Sequence, residues 1–175
     1  LGGTIKIYRD LAMGIFKEKV ADKLGLDVFE AASGMIDLVE TQMRDHLHAI
    51  APAHTVVTGD LTHIALPAEF READEWLRQL GAADTVTVVP GNHDRYVHTP
   101  WAESLGLWSR FMSSDGGSAD AEAEQLFPLL RVRGPLAFIG LDSAVPSPPF
   151  MATGRLGAHQ LERLADILEQ LRGSG

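Results

Sequence analysis

Two short motifs bring together side chains that could do chemistry. The first is Thr58–Gly59–Asp60–Leu61–Thr62 and the second is Pro90–Gly91–Asn92–His93–Asp94. Asp60 and Asn92 lie 32 positions apart. Each motif sits on the turn after an apolar run. A glycine precedes Asp60 and another precedes Asn92, and glycine permits a sharp turn at little steric cost. A carboxylate can bridge two divalent cations, and an amide oxygen can bind one of them. Oxygen and imidazole donors suit Mn, Fe, Zn or Mg.

The elements that must position these residues are legible around them. Thr55–Thr58 is a short β-branched run, read as a buried strand ending at Gly59–Asp60. Pro67–Leu80 is an amphipathic helix with Phe70, Ala73, Leu77 and Leu80 on one face, closed by Gly81. Thr85–Val89 is a second strand, ending at Pro90–Gly91. Ser113 to Ala119 reads as a flexible loop. Leu129–Val132 and Leu136–Leu141 flank Arg133–Gly134–Pro135 and predict a hairpin. It ends at Asp142–Ser143, which could support the site from behind. Leu161, Leu164, Leu168 and Leu171 mark a last amphipathic helix. Upstream, residues 28–50 carry a helical period. The expected organisation is a helical segment over 1–50 and a core over 51–175. The expected fold class is α/β, because strands alternate with helices and polar groups gather at strand ends.

Composition bounds the rest. The 175 residues are 45% hydrophobic and 22% charged, which suits one ordered domain with a sizeable core. The net charge of −9 disfavours sequence-independent nucleic-acid binding. No cysteine occurs, so disulfides and thiolate metal sites are excluded. No apolar run reaches the ~20 residues of a membrane span, and no signal peptide is evident. A soluble cytoplasmic protein is expected. Leu1 and the Gly173–Ser174–Gly175 end read as cut ends, so the chain is expected to be a fragment.

The two motifs together resemble the calcineurin-like metallophosphoesterase superfamily, whose pattern includes Gly-Asp and then Gly-Asn-His-Asp/Glu. Gly154–Arg155–Leu156 and Gln160 are similar to its entry into a later helix, so the resemblance covers roughly residues 51–171. It implies a layered phosphoesterase fold and a two-metal site hydrolysing phosphomonoesters or phosphodiesters. Asp60 would bridge both metals and Asn92 would bind the second. His93 would be the general acid, oriented by Asp94. Arg95 and His98 are the candidates to meet a small phosphate-ester substrate, and His63 could line the site. The family's first Asp-x-His and closing Gly-His-x-His motifs are absent, so the fold is expected to be truncated and activity of the chain alone impaired. The alternative is a non-catalytic α/β scaffold with a degenerate site. Separately, Leu1–Gly2–Gly3, Lys23–Leu24–Gly25–Leu26–Asp27, Glu30–Ala31–Ala32 and Gly34–Met35–Ile36 resemble a helical stretch of the hydantoinase/oxoprolinase and acetone-carboxylase subunit family, over residues 1–48. No catalytic residue carries over from it.

Overall fold

A computed structural model describes residues 41–42, 44–118, 123–147 and 151–173. Residues 44–50 are helical. Most of the helix expected over 28–50, and with it the segment similar to the carboxylase subunits, lies outside the described residues.

Two valine-rich strands form the centre. Strand β1 (Thr55–Val57) pairs in parallel with β2 (Val86–Val88), in the register Thr55 to Val86 and Val57 to Val88. Bonds from Thr55 N to Thr85 O and from Val89 N to Val57 O extend the ladder at both ends. A parallel pair needs a crossover, because a tight turn cannot reverse the chain twice. Helix α1 (Pro67–Leu80) is that crossover. Its boundaries are those expected from the apolar period, with Pro67 opening the helix where no backbone donor is needed. Phe70, Ala73 and Leu77 are buried, and Gly81 N bonds Leu77 O. Gly81 is extended and not left-handed. A Cβ there would lie 3.0 Å from Val86 Cγ2, a tight contact with the start of the next strand.

The segment after the second motif forms 3-10 turns at Trp101–Glu103 and Leu105–Phe111. Trp108 and Phe111 are fully buried. Trp108 stacks at a tilt on Phe70, centroids 5.0 Å apart, and donates its indole N–H to Phe70 O at 3.0 Å. Asp74 on α1 receives Arg78 at 2.9 Å and also pairs with Arg110 of the second turn. Together these contacts lock the crossover to the turn region.

The expected hairpin is present. Strand β3 (Leu129–Arg133) pairs antiparallel with β4 (Leu136–Gly140), following a short helix α2 (Ala123–Leu126). Among the described residues the strands make two separate two-stranded sheets, not one continuous layer. The coarse class, mixed α and β, therefore holds. The His54 ring, just before β1, meets Phe138 of β4 at 4.8 Å and links the two sheets. Ser113–Ser118 is a loop, but a tethered one. Asp115 N bonds Leu130 O, Ser114 Oγ accepts Leu130 N, and Arg131 Nε reaches Ser113 O.

Helix α3 (Ala158–Gly173) forms where the leucine period places it, yet none of its residues is buried. It is held through Gln160, whose amide bonds the backbone of Asp142 in both directions, at 3.0 and 2.8 Å. No helix among the described residues is long and apolar enough to cross a membrane.

Candidate functional site

The two motif turns lie against each other because their strands are neighbours. Gly59, at φ +88°, and Asp60, at φ +56°, are both left-handed. Glycine takes that conformation freely, and Asp is among the few other residues that tolerate it. The contact is tight. A Cβ on Gly59 would collide with Gly91 N, and a Cβ on Gly91 would collide with the Asp60 carboxylate. Both motif glycines are thus explained by close approach of the two backbones.

Asp94 holds the pair closed. Its carboxylate is buried, at 2% exposure. Oδ2 accepts the backbone N–H of Asp60 and of Gly91, each at 2.8 Å. Oδ1 accepts Thr62 N at 2.9 Å and the Thr62 hydroxyl at 3.1 Å. Burial pushes the Asp94 carboxyl up to about 6, against the downward pull of those donors. The family resemblance implied that Asp94 orients His93. The structure corrects that role, because its oxygens are taken by four donors from the two loops, none of them the ring.

His93 is oriented by another group. Its Nδ1 lies 2.7 Å from the His63 carbonyl oxygen, so that nitrogen carries the proton. Nε2 is then left to accept or deliver a proton. The ring is half-buried and stacks on Tyr96, with centroids 5.7 Å apart. The His63 ring lies 6.0 Å away. His63 therefore contributes through its backbone, in a loop pinned by Glu69, whose carboxylate accepts the N–H groups of His63, Ile64 and Leu66 at 3.1, 3.2 and 2.9 Å.

Asp60 Oδ1 accepts His93 N at 3.1 Å. Its carboxylate thus lies against the backbone of the turn that carries Asn92, at Gly91 and at His93. Among the described residues, no three His, Cys, Asp or Glu side chains gather closely enough to hold a metal ion. The donors present do not fit a two-metal centre built by this chain's described residues.

Arg95 and His98 lie nearby but differ. The Arg95 guanidinium pairs with the Asp142 carboxylate, while its Nε is buried without a partner. Arg95 is therefore a strut from the second motif to the end of β4, not a free anion site. Asp142–Ser143 was expected to support the site, and Asp142 does so through this pair. His98 is exposed. Sequence reasoning missed Thr62 and Glu69. The signal for Glu69 was its place three residues after Leu66, where a carboxylate reaches back to a helix start. Thr62 carried no signal beyond its closeness to Asp60.

No family model matches this chain, and no solved structure matches it. Comparison with curated proteins finds the acetone carboxylase beta subunit of Xanthobacter autotrophicus, 40% identical over 50 residues. The match covers 29% of this chain, and it spans 7% of the length of that subunit. These findings correct the resemblance to calcineurin-like metallophosphoesterases, which rested on two short strand-end motifs. Close backbone packing accounts for the glycines of those motifs, and loop closure accounts for Asp94. The similarity that the comparisons return is to an acetone carboxylase subunit, the group named for the second resemblance.

Proposed function

We propose that the paired loops serve hydrolysis of a small phosphate ester, with His93 delivering a proton to the leaving oxygen. The observation that supports this reading is the bond from His93 Nδ1 to the His63 carbonyl. A backbone acceptor fixes the ring and leaves Nε2 to exchange a proton. A positioned group of this kind contributes ~10²–10⁴-fold in rate. Asp60 and Asn92 supply oxygen donors to a divalent cation (Mn, Fe, Zn or Mg) only in company with ligands beyond the described residues.

The test is an assay of the chain on phenyl phosphate with added Mn, comparing the native sequence with His93→Ala. Slow turnover that falls at least about 100-fold in the variant supports the reading. Turnover that is absent, or indifferent to the substitution, overturns it in favour of a non-catalytic scaffold.

The 40% match over 50 residues favours a second reading, that part of the chain is a segment of an acetone-carboxylase-like subunit. Carboxylation of acetone by an assembly containing this chain would support it.

A further inference from the structure

The turn that carries His93 borders, through Asp94 and Arg95, a cavity of about 220 Å³. Asp94 and Arg95, from the same 3-10 turn as His93, form one wall. Val97, Trp101, Leu105 and Pro146 supply apolar surface, and His98 adds a second basic group. The polar groups between them are already engaged. Thr99 donates its hydroxyl to Ala65 O at 2.7 Å, and Ser104 donates to Pro100 O at 2.8 Å. Asp94 is saturated by its four donors. What remains to meet a ligand is an apolar lining that includes one indole, with the His98 ring beside it.

We propose that this cavity is the leaving-group pocket for a single-ring aryl phosphate, an inference that rests on the phosphoester reading above. Size argues for one ring, because clefts for drug-sized ligands run from ~300 Å³ upward. Chemistry argues for an aromatic ring, since Trp101 offers a face to stack on and no unengaged hydroxyl or amide lines the cavity to bond a sugar. Position argues for a leaving group. Two of its lining residues, Asp94 and Arg95, directly follow His93 in one 3-10 turn, so the cavity adjoins the segment that carries the proton donor.

The probes are phenylphosphonate and methylphosphonate, which cannot be hydrolysed, titrated against the full chain by ligand-observed NMR. Phenylphosphonate should bind roughly tenfold tighter or better, as burial of a ring predicts. Val97→Trp, at an exposed rim position, should fill the cavity and abolish that advantage without touching the core. Equal affinity for the two probes overturns the proposal, as does an advantage that survives Val97→Trp. The two readings separate cleanly. Preference for the phenyl probe without hydrolysis of phenyl phosphate sinks the phosphoester activity alone, and hydrolysis without that preference sinks the pocket alone.

Discussion

Oδ2 of Asp94 accepts the backbone N–H of Asp60 at 2.8 Å, across 34 positions of sequence. With Gly91 N on the same oxygen and Thr62 on the other, one buried carboxylate closes the two motif turns onto each other. The site's geometry thus depends on a residue that the ring of His93 does not touch.

Asp94→Asn is therefore expected to destabilise the fold. An amide has one acceptor oxygen, so its NH₂ must face either Thr62 N or both Asp60 N and Gly91 N, while the Thr62 hydroxyl can donate to His93 O instead. Leaving a buried donor unpaired costs about 1–3 kcal/mol, so a loss of that order is expected in urea unfolding near pH 7. The gap between the two proteins should also depend on pH. Burial raises the native carboxyl from 3.8 to about 6, so between those values the folded state binds a proton that the unfolded state does not. The stabilisation from this raised value is fully present below about 4 and is lost as pH rises through about 6. The gap should then narrow over that window. A gap that widens instead would show that the four donors outweigh burial.

Arg131 offers a second stability test. It is 3% exposed and bonds four backbone carbonyls: Ser113 at 2.8 Å, Ala83 at 2.5 Å, Val86 at 2.7 Å and Arg110 at 3.1 Å. A planar fork reaches them at once, and a lysine ammonium cannot. Arg131→Lys is expected to cost roughly 2–4 kcal/mol, read as a fall in Tm, because several carbonyls lose their donor inside the protein. A change within about 0.5 kcal/mol would show that water replaces the guanidinium.

These residues mark what the sequence could and could not disclose. Helix α1, the hairpin and both strand-end turns follow from local periods and turn residues, and all were legible. The neighbouring placement of Asp60 and Asn92 was legible too, because each follows a short strand and a glycine. The roles of Asp94, Arg95 and Arg131 were not. Each is decided by a partner far along the chain, such as Asp142 for Arg95, and no local pattern encodes that partner. The family resemblance failed for a related reason. Ten residues in two motifs describe a way of packing strand ends, and Asp94 shows that packing alone can require them.

The proton-donor role of His93 predicts a dependence on the leaving group. A phenolate leaves with little help, whereas an alkoxide must be protonated as the bond breaks. His93→Ala should lower kcat more for an alkyl phosphate than for a nitrophenyl phosphate, with the full effect near ~10²–10⁴-fold and little change in KM. Equal losses on both substrates would mean that His93 only positions the ester.

Metal affinity is the last expectation, and ligand number decides it. A catalytic site usually offers a metal three or more protein ligands. Here Asp60 lies against the turn that carries Asn92, and one Asp60 oxygen already accepts His93 N at 3.1 Å. Among the described residues no three His, Cys, Asp or Glu side chains gather to complete the set. His93 is a poor third ligand, since its Nδ1 is engaged by His63 O and its Nε2 is needed for the proton. A cation at Asp60 would therefore keep most of its water. Calorimetric titration of the chain with Mn and with Zn should give binding weaker than about 10 µM, and Asp60→Asn should weaken it further. The fold itself should change little on chelation, because Asp94 closes the loops without help from a metal. Submicromolar binding of two cations, lost in Asp60→Asn, would mean that residues outside those described complete the site, and that the two loops are half of a larger centre.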